Sequence, residues 1–329
     1  MALVKDQYAV PDPLLPSGLK NSLEDFRLGR LGLRAGRRLM RSLRKLRDPA
    51  RRKIWISRFG LPLRNALLLN RPLTVSFEGI PVALAPQGAT AGDIWAGVRC
   101  EKLEVSFILG TLHKGMIFFD VGANAGLFTI SAGKKIGGNG VFAFEPCSST
   151  CELLKRNLKL NGLAGVNVIQ SALGESVGAG VLQINVRGRD GLNTLGQATH
   201  PDSKVVGQEN VRITTLDVFM KDQNIPRVDV MKVDIEGAEL MMFRGARDLL
   251  GRADAPLILY EGFGFLTRGF GYHPVEILWF LESCGYSLFV LNSESGEISE
   301  LKPDYQYDSM VIAAKPGHAA FENLRARLK

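Results

Sequence analysis

The chain has 329 residues, 46% of them hydrophobic and 22% charged, with a formal net charge of +8. That length exceeds one typical domain of ~150 residues, and the composition excludes a wholly disordered, collagen-like or coiled-coil chain. The charge is unevenly placed: from Arg27 to Arg58, 13 Lys/Arg stand against Asp48 alone, a net +12, while residues 1–26 and 59–329 each sum to −2.

Residues 1–26, with Pro11, Pro13, Pro16 and Gly18, read as an irregular leader. The first ten residues hold Lys5 and Asp6 and no apolar h-region, which argues against a secretory signal. No apolar run approaches the ~18 residues a membrane span needs. Four cysteines (Cys100, Cys147, Cys151 and Cys284) fit a reduced, cytoplasmic protein better than a disulfide scaffold.

In the basic stretch, Leu28, Leu31, Ala35, Leu39, Leu43 and Leu46 recur at steps of three and four. This spacing predicts an amphipathic helix that Asp48-Pro49 ends or interrupts. Three readings stand side by side. Residues 27–58 lie on an anionic membrane surface, placing the protein peripherally at the inner membrane; or they bind nucleic acid through its phosphates; or the Leu face packs on the body and the arginines are solvated. Nucleic acid is the weakest, because no aromatic residues interleave the arginines as stacking platforms.

Residues 72–85 alternate around Gly79-Ile80-Pro81 and predict a small hairpin. A helix follows over Glu101–Leu112. From Gly115 the chain alternates strand and helix: strands at Met116–Val121, Val141–Glu145, Val166–Gln170, Asp229–Val233 and Leu257–Tyr260, with helices at Ala125–Ile136, Ser148–Asn161 and Glu236–Leu250. Residues 179–186 and 210–216 read as a hairpin or two extra strands. A helix at Pro274–Cys284 and strands at Ser287–Leu291 and Met310–Ala314 complete the pattern. Continuous apolar strands alternating with helices predict a doubly wound α/β fold around a mostly parallel sheet. The division expected is a leader and arm at 1–58, a hairpin and helix at 59–114, and one α/β domain at 115–329.

The first of these strands ends in Phe119-Asp120-Val121-Gly122-Ala123-Asn124-Ala125-Gly126. Glycines there let backbone approach a ligand closely, and the following helix presents free N–H groups. Open α/β sheets bind ligands beyond the carboxyl ends of their strands. The second strand ends in Phe144-Glu145-Pro146, where a carboxylate can accept both hydroxyls of a ribose. Asn124 stands where a dinucleotide fingerprint has its middle glycine. Asp120, Asp234 and Glu236 add negative charge to the same crevice. Converging carboxylates suit a cationic ligand and repel a pyrophosphate, which favours S-adenosylmethionine over a nicotinamide dinucleotide. No Gly-Lys-Ser/Thr loop for ATP or GTP is present.

Six blocks occur in order: Asp120–Gly126, Phe144-Glu145-Pro146, Asn157–Asn161, Ser171–Gly174, Thr215-Leu216-Asp217 and Lys232–Glu239. Together they resemble the FkbM family of S-adenosylmethionine-dependent methyltransferases, over roughly Glu101 to Ala314. The resemblance implies the class I methyltransferase (Rossmann-like) sheet of seven strands, mostly parallel with the last strand antiparallel. It also implies O-methylation of a hydroxyl on a sugar, glycan or natural-product acceptor. By the same resemblance Asp120, Gly122, Ala123, Asn124 and Gly126 shape the methionine side of the cofactor site. Glu145 and Pro146 hold the ribose, and Ser171, Ala172 and Leu173 flank the adenine. Asp234 and Glu236 face the methyl donor and acceptor. Gly191–Leu195 and Phe263–His273 match no template and read as the acceptor side. The aromatic loop 263–273 stacks on an acceptor sugar, covers the cofactor as a lid, or packs into the core.

A hydroxyl acceptor loses a proton as it is methylated, so a nearby base helps. The candidates are Asp234, Glu236, Glu261 and His273. Glu236 also suits a helix N-terminus, and His273 before Pro274 also suits a helix cap. Asp234 and Glu261 together suit a divalent cation, but two carboxylates are not a specific signature, and no metal is assigned. Cys147 and Cys151, four apart, lack the second pair a zinc site needs. The rival readings are an RNA methyltransferase using the basic arm, a non-enzymatic interaction protein on the same fold, and a nicotinamide oxidoreductase. The near-neutral body, the intact acids and Asn124 argue against them in turn.

Overall fold

A computed structural model describes residues 73–77, 79–84, 101–186, 190–292, 295–302, 305 and 309–318. They belong to one of two compact units into which the chain divides, Pro72–Ile94 with Arg99–Lys329. The leader, the basic arm with its predicted helix and membrane-surface reading, and Cys100 lie outside the described residues. Among the described residues no helix is long and apolar enough to cross a membrane.

Strands β1 (Leu73–Phe77) and β2 (Ile80–Leu84) form the expected antiparallel hairpin, with Phe77 opposite Ile80. Helix α1 (Lys102–Thr111) leads to β3 (Phe118–Val121), and α2 (Leu127–Ile136) leads to β4 (Val141–Phe144). Next come α3 (Ser148–Leu160) and β5 (Asn167–Ile169). Short β6 (Ala172–Leu173) joins the long hairpin β7 (Gly178–Asn185) and β8 (Val205–Thr214) in a separate three-stranded sheet, ordered β6-β8-β7. Helix α4 (Leu216–Asp222) precedes β9 (Val230–Val233), and α5 (Glu239–Arg244) with α6 (Arg247–Gly251) precedes β10 (Leu257–Glu261). The chain continues through α7 (Gly264–Thr267), α8 (Val275–Ser283), β11 (Ser287–Leu291), β12 (Ile298–Glu300) and β13 (Met310–Ala314).

The central sheet runs β12-β11-β13-β10-β9-β3-β4-β5. The pairs from β10 through β9, β3 and β4 to β5 are parallel, and β13 is antiparallel to both neighbours. This is the expected class I methyltransferase sheet of seven strands, with β12 added as a short eighth strand at the edge. Every residue of β3, β9 and β13 is buried, as strands covered on both faces require. On one face the rings of Phe119, Phe142 and Phe144 pack against Phe219 of α4, with centroids 4.9–6.3 Å apart. Tyr260 meets Phe243 of α5 edge-on at 5.5 Å.

Two expected elements differ. The strand predicted at 210–216 begins at Val205 and stops at Thr214, because Thr215 caps α4 by accepting the Val218 N–H. The single helix predicted over Glu236–Leu250 is two short helices that begin only at Glu239. A Cβ at Gly245 would stand 2.0 Å from the Gly174 carbonyl oxygen, so only glycine lets the chain pass there. The Gly245 carbonyl accepts the Asp217 N–H, which diverts it from an unbroken helix.

Asn157 ties the N-terminal hairpin to this body. Fully buried, it accepts the Ala83 N–H and donates to the carbonyls of Ala83 and Ala125, each at 2.8 Å. Asn161, one turn on, donates to Pro81. The asparagine block of the sequence is therefore a structural bolt: both residues satisfy backbone groups of β2 that its partner strand leaves open.

Candidate functional site

The carboxyl ends of β3, β4, β9 and β10 open onto a cavity of about 310 Å³. Its wall includes Gly122–Ala125 after β3, Glu145 and Pro146 after β4, Ser171–Leu173, and Asp234–Glu236 after β9. Glu261 at the end of β10 and the segment Gly191–Asn193 complete it.

The loop after β3 is gripped by its neighbours. Gly122 and Ala123 donate to the Phe144 carbonyl, and Asp234 donates back to Val121. A Cβ at Gly122 would lie 1.8 Å from the Asp234 carbonyl oxygen, and φ there is +78°. Glycine is required on both counts.

Glu145 joins two loops. One carboxylate oxygen accepts the Asn124 N–H and the other the Cys147 N–H, both at 3.0 Å. Burial pushes its carboxyl up to about 7, against those two hydrogen bonds. Cys147 and Cys151 are buried free thiols of the α3 packing.

Beneath the floor lies a charge system that the sequence did not mark. Lys232, 3% exposed, donates to the Gly122 carbonyl at 2.9 Å and lies 3.2 Å from Asp234 and 3.8 Å from Asp120. Its ammonium also sits 5.3 Å from the Phe128 ring centre. Burial disfavours its charge, but Asp234, Asp120 and Glu101 outweigh it and raise its pKa. Asp120 takes a hydrogen bond from Thr129, and burial raises its carboxyl. Asp120 and Gly126 do not line the cavity. Asp120 is wholly buried and holds Lys232, while Gly126 opens α2 behind the wall.

The far wall is acidic. Carboxylate oxygens of Asp234, Glu236 and Glu261 lie within 4.8 Å of one another. Glu236 has a φ of +55°, which places its side chain in a left-handed turn rather than on a helix. Burial, then Asp234 and Glu239, push its carboxyl up to about 9. Burial followed by Asp234, Glu236 and Glu239 raises Glu261 well above the usual range. Glu239, 1% exposed, braces this turn by accepting the Ile235 and Gly237 N–H groups. Its carboxyl is pushed up to about 7, mainly by burial. Three clustered carboxylates are also a common cation arrangement, but oxygen clusters of this kind carry no metal specificity.

His273 is not part of this wall. It is exposed, accepts the Val275 N–H and donates its own N–H to Glu276, so it caps α8. The aromatic loop also stays out of the lining. Tyr272 donates to the Gly237 carbonyl at 2.7 Å, and Phe265 offers its carbonyl to Thr199. The loop thus braces the Glu236 turn and the 194–200 segment from outside the cavity.

Sequence reasoning did not single out Glu101 or Lys232 as lining residues, while Asn193 falls in the 191–195 segment it placed on the acceptor side. Glu101 precedes α1 with φ +53° and is exposed. Lys232 was visible in its block, but nothing local marks a strand lysine as buried. Asn193 lay in a segment without a template.

The donor set fits a cationic ribonucleoside. One carboxylate fixed on backbone N–H groups lies at the end of β4, acids face the opposite wall, and Lys232 is already matched by Asp234 and Asp120. A pyrophosphate would meet no uncommitted cation among the described lining residues other than those in this network.

The Methyltransferase FkbM domain matches residues 120–288. Methyltransferase 1 of Beauveria bassiana is 29% identical over 172 residues, spanning 45% of this chain and 69% of that protein. Methyltransferase sdnD of Sordaria araneosa is 32% identical over 180 residues, spanning 44% and 70%. The hexuronic acid methyltransferase AglP of Haloferax volcanii is 26% identical over 184 residues, spanning 55% and 71%.

Proposed function

The chain belongs to the FkbM family of S-adenosylmethionine-dependent methyltransferases, and from that premise we propose that it methylates a hydroxyl of a carbohydrate or related polyhydroxylated acceptor. The observation that carries this reading is the cluster of Asp234, Glu236 and Glu261 on the cavity wall opposite Glu145 in the strand order. A hydroxyl needs a proton acceptor as its oxygen is alkylated, and three adjacent carboxyl groups provide one. The relative named for hexuronic acid supports a carbohydrate acceptor.

Bound in the cavity, S-adenosylmethionine supplies an electrophilic methyl group on sulfur and departs as S-adenosylhomocysteine. Glu145 would hold the ribose hydroxyls, because two backbone N–H groups fix its carboxylate at the β4 end. Pro146, Ser171, Ala172 and Leu173 would flank the adenine, and Gly122, Ala123 and Asn124 the methionine portion. The acceptor hydroxyl would be held between that methyl group and the carboxyl groups of Asp234, Glu236 and Glu261. Glu236 takes the hydroxyl proton, with Asp234 and Glu261 sharing the charge. A cation nearby favours ionised carboxylates, so the ligand that needs the base also generates it. Alignment of the reacting atoms supplies the rest of the rate.

The test is methyl transfer from labelled S-adenosylmethionine to methyl β-D-glucuronide, methyl α-D-glucoside and methyl α-L-rhamnoside. Label in an alkali-stable ether on at least one glycoside is expected. Label only as an alkali-labile ester of the glucuronide, or on none of the three, overturns the hydroxyl reading.

A further inference from the structure

The segment between β7 and β8 bridges the two halves of the cavity. At one side Gly191 lies so close to the loop after β3 that a Cβ on it would stand 3.3 Å from Asn124 Nδ2. At the other, Thr194 donates its hydroxyl to the Glu236 carbonyl at 3.0 Å. Thr194 is further tied to Gln183 of β7 by a backbone hydrogen bond at 2.8 Å. Asn193 sits between these two anchors and lines the cavity.

The orientation of its amide is determined. Asn193 Oδ1 accepts the Asn185 N–H at 2.8 Å, so the other terminal atom is the NH₂ group. Asn185 is itself fixed, donating to the Leu192 carbonyl and accepting from Ser203 and Lys204. Asn193 Nδ2 is buried and has no hydrogen-bond partner among the described residues. Glu261 Oε2, in the same cavity lining, is in the same condition. Buried donors and acceptors are seldom left unpaired, because each loses its hydrogen bonds to water without replacement. Both atoms, one donor and one carboxyl oxygen, belong to residues of the wall that holds the acidic cluster.

We infer that Asn193 is the acceptor-positioning residue: its amide donates a hydrogen bond to an oxygen of the acceptor neighbouring the hydroxyl that is methylated, while the Glu261 carboxyl supplies the second polar contact. The acceptor class this selects carries at least two oxygen functions close together, as a sugar ring does. A simple alcohol or a phenol with one hydroxyl leaves Asn193 unpaired and is a poor substrate. The inference rests on the hydroxyl-acceptor reading above.

Asn193→Asp tests it. Aspartate keeps the oxygen that accepts the Asn185 N–H and so keeps the loop anchor, but it replaces the donor with an oxygen. Asn193→Ala removes the donor without adding charge. Three quantities are measured for each variant: KM and kcat for the best-labelled of the three glycosides, and S-adenosylhomocysteine affinity by calorimetry. Both variants are expected to raise KM about ten-fold or more, the loss of one buried hydrogen bond, with nucleotide affinity within two-fold of the parent. Unchanged KM overturns the inference. So does a KM rise confined to the Asp variant, which would be repulsion by the new charge. A matching loss of nucleotide affinity would also overturn it, placing Asn193 on the cofactor. If the Ala variant does not fold, the Asp variant with its retained anchor decides, with Asn193→Leu as the uncharged control of similar shape. No label on any glycoside with intact nucleotide binding overturns the hydroxyl-acceptor reading, and this inference with it.

Discussion

At the β4 end of the cavity both oxygens of Glu145 are engaged by backbone N–H groups, and the glycine loop is hydrogen-bonded to strands on either side. At the β9–β10 end three carboxyl groups crowd within 4.8 Å, and among the described residues neither one of their oxygens nor the Asn193 donor has a partner. The first half is complete as a protein structure and receives a ligand of constant shape. The second half, among the described residues, is crowded in charge and open in hydrogen bonds, and under the proposed function a cation and a polyol supply the partners. On the proposed reading, pre-organisation is concentrated at the cofactor end and open polar groups at the acceptor end.

Three measurements bear on that contrast, the largest effect first. Glu236→Gln should lower kcat by ~10²–10⁴-fold while leaving S-adenosylhomocysteine affinity nearly unchanged, because it removes a proton acceptor and not a nucleotide contact. A kcat within a few-fold of the parent would move the base to another carboxylate. Glu145→Ala should leave acceptor KM in place but weaken S-adenosylhomocysteine by about 10–100-fold, since a buried charged hydrogen-bonding group is lost at the ribose. Equal affinity in calorimetry would separate Glu145 from the cofactor.

The smallest effect is in stability. Glu239 and Glu145 have carboxyls raised to about 7 in the folded state, above the ~4.3 of an unfolded glutamate. The folded protein therefore binds more protons between those values. Their contribution is fully present below pH ~4.3 and is lost as pH rises through about 7. Ligand-free protein should melt a few degrees lower at pH 8 than at pH 5, and Glu239→Gln should flatten that decline. Gln retains an oxygen for the Ile235 and Gly237 N–H groups. A melting temperature that rises steadily over this range would show that these carboxyls are not strained by burial.

Much of the molecule was readable along the chain. Apolar runs such as Phe118–Val121 and Val230–Val233 are strands because they are buried on both faces, and burial on both faces removes the alternation that a half-exposed strand shows. Gly122 as a required glycine and Glu145 as an acid of the cavity wall were readable because both follow from position at a strand end. Asn157 and Asn161 were readable as a block but not as a bolt, since their partners lie 74 and 80 residues away.

By itself, then, the sequence determined the order of strands and helices, the acid-lined crevice and its cationic nucleoside, because those depend on local pattern and on which residues follow each strand. Only the tertiary structure decided that Asp120 serves Lys232 beneath the floor and that His273 caps a helix on the surface. It also decided that the predicted helix breaks where Gly245 meets the Gly174 backbone, and that Asn193 reaches the cavity. Each of these is a matter of which distant backbone or charge a side chain meets, and of whether water is excluded there, and neither is encoded in the spacing of neighbours along the chain.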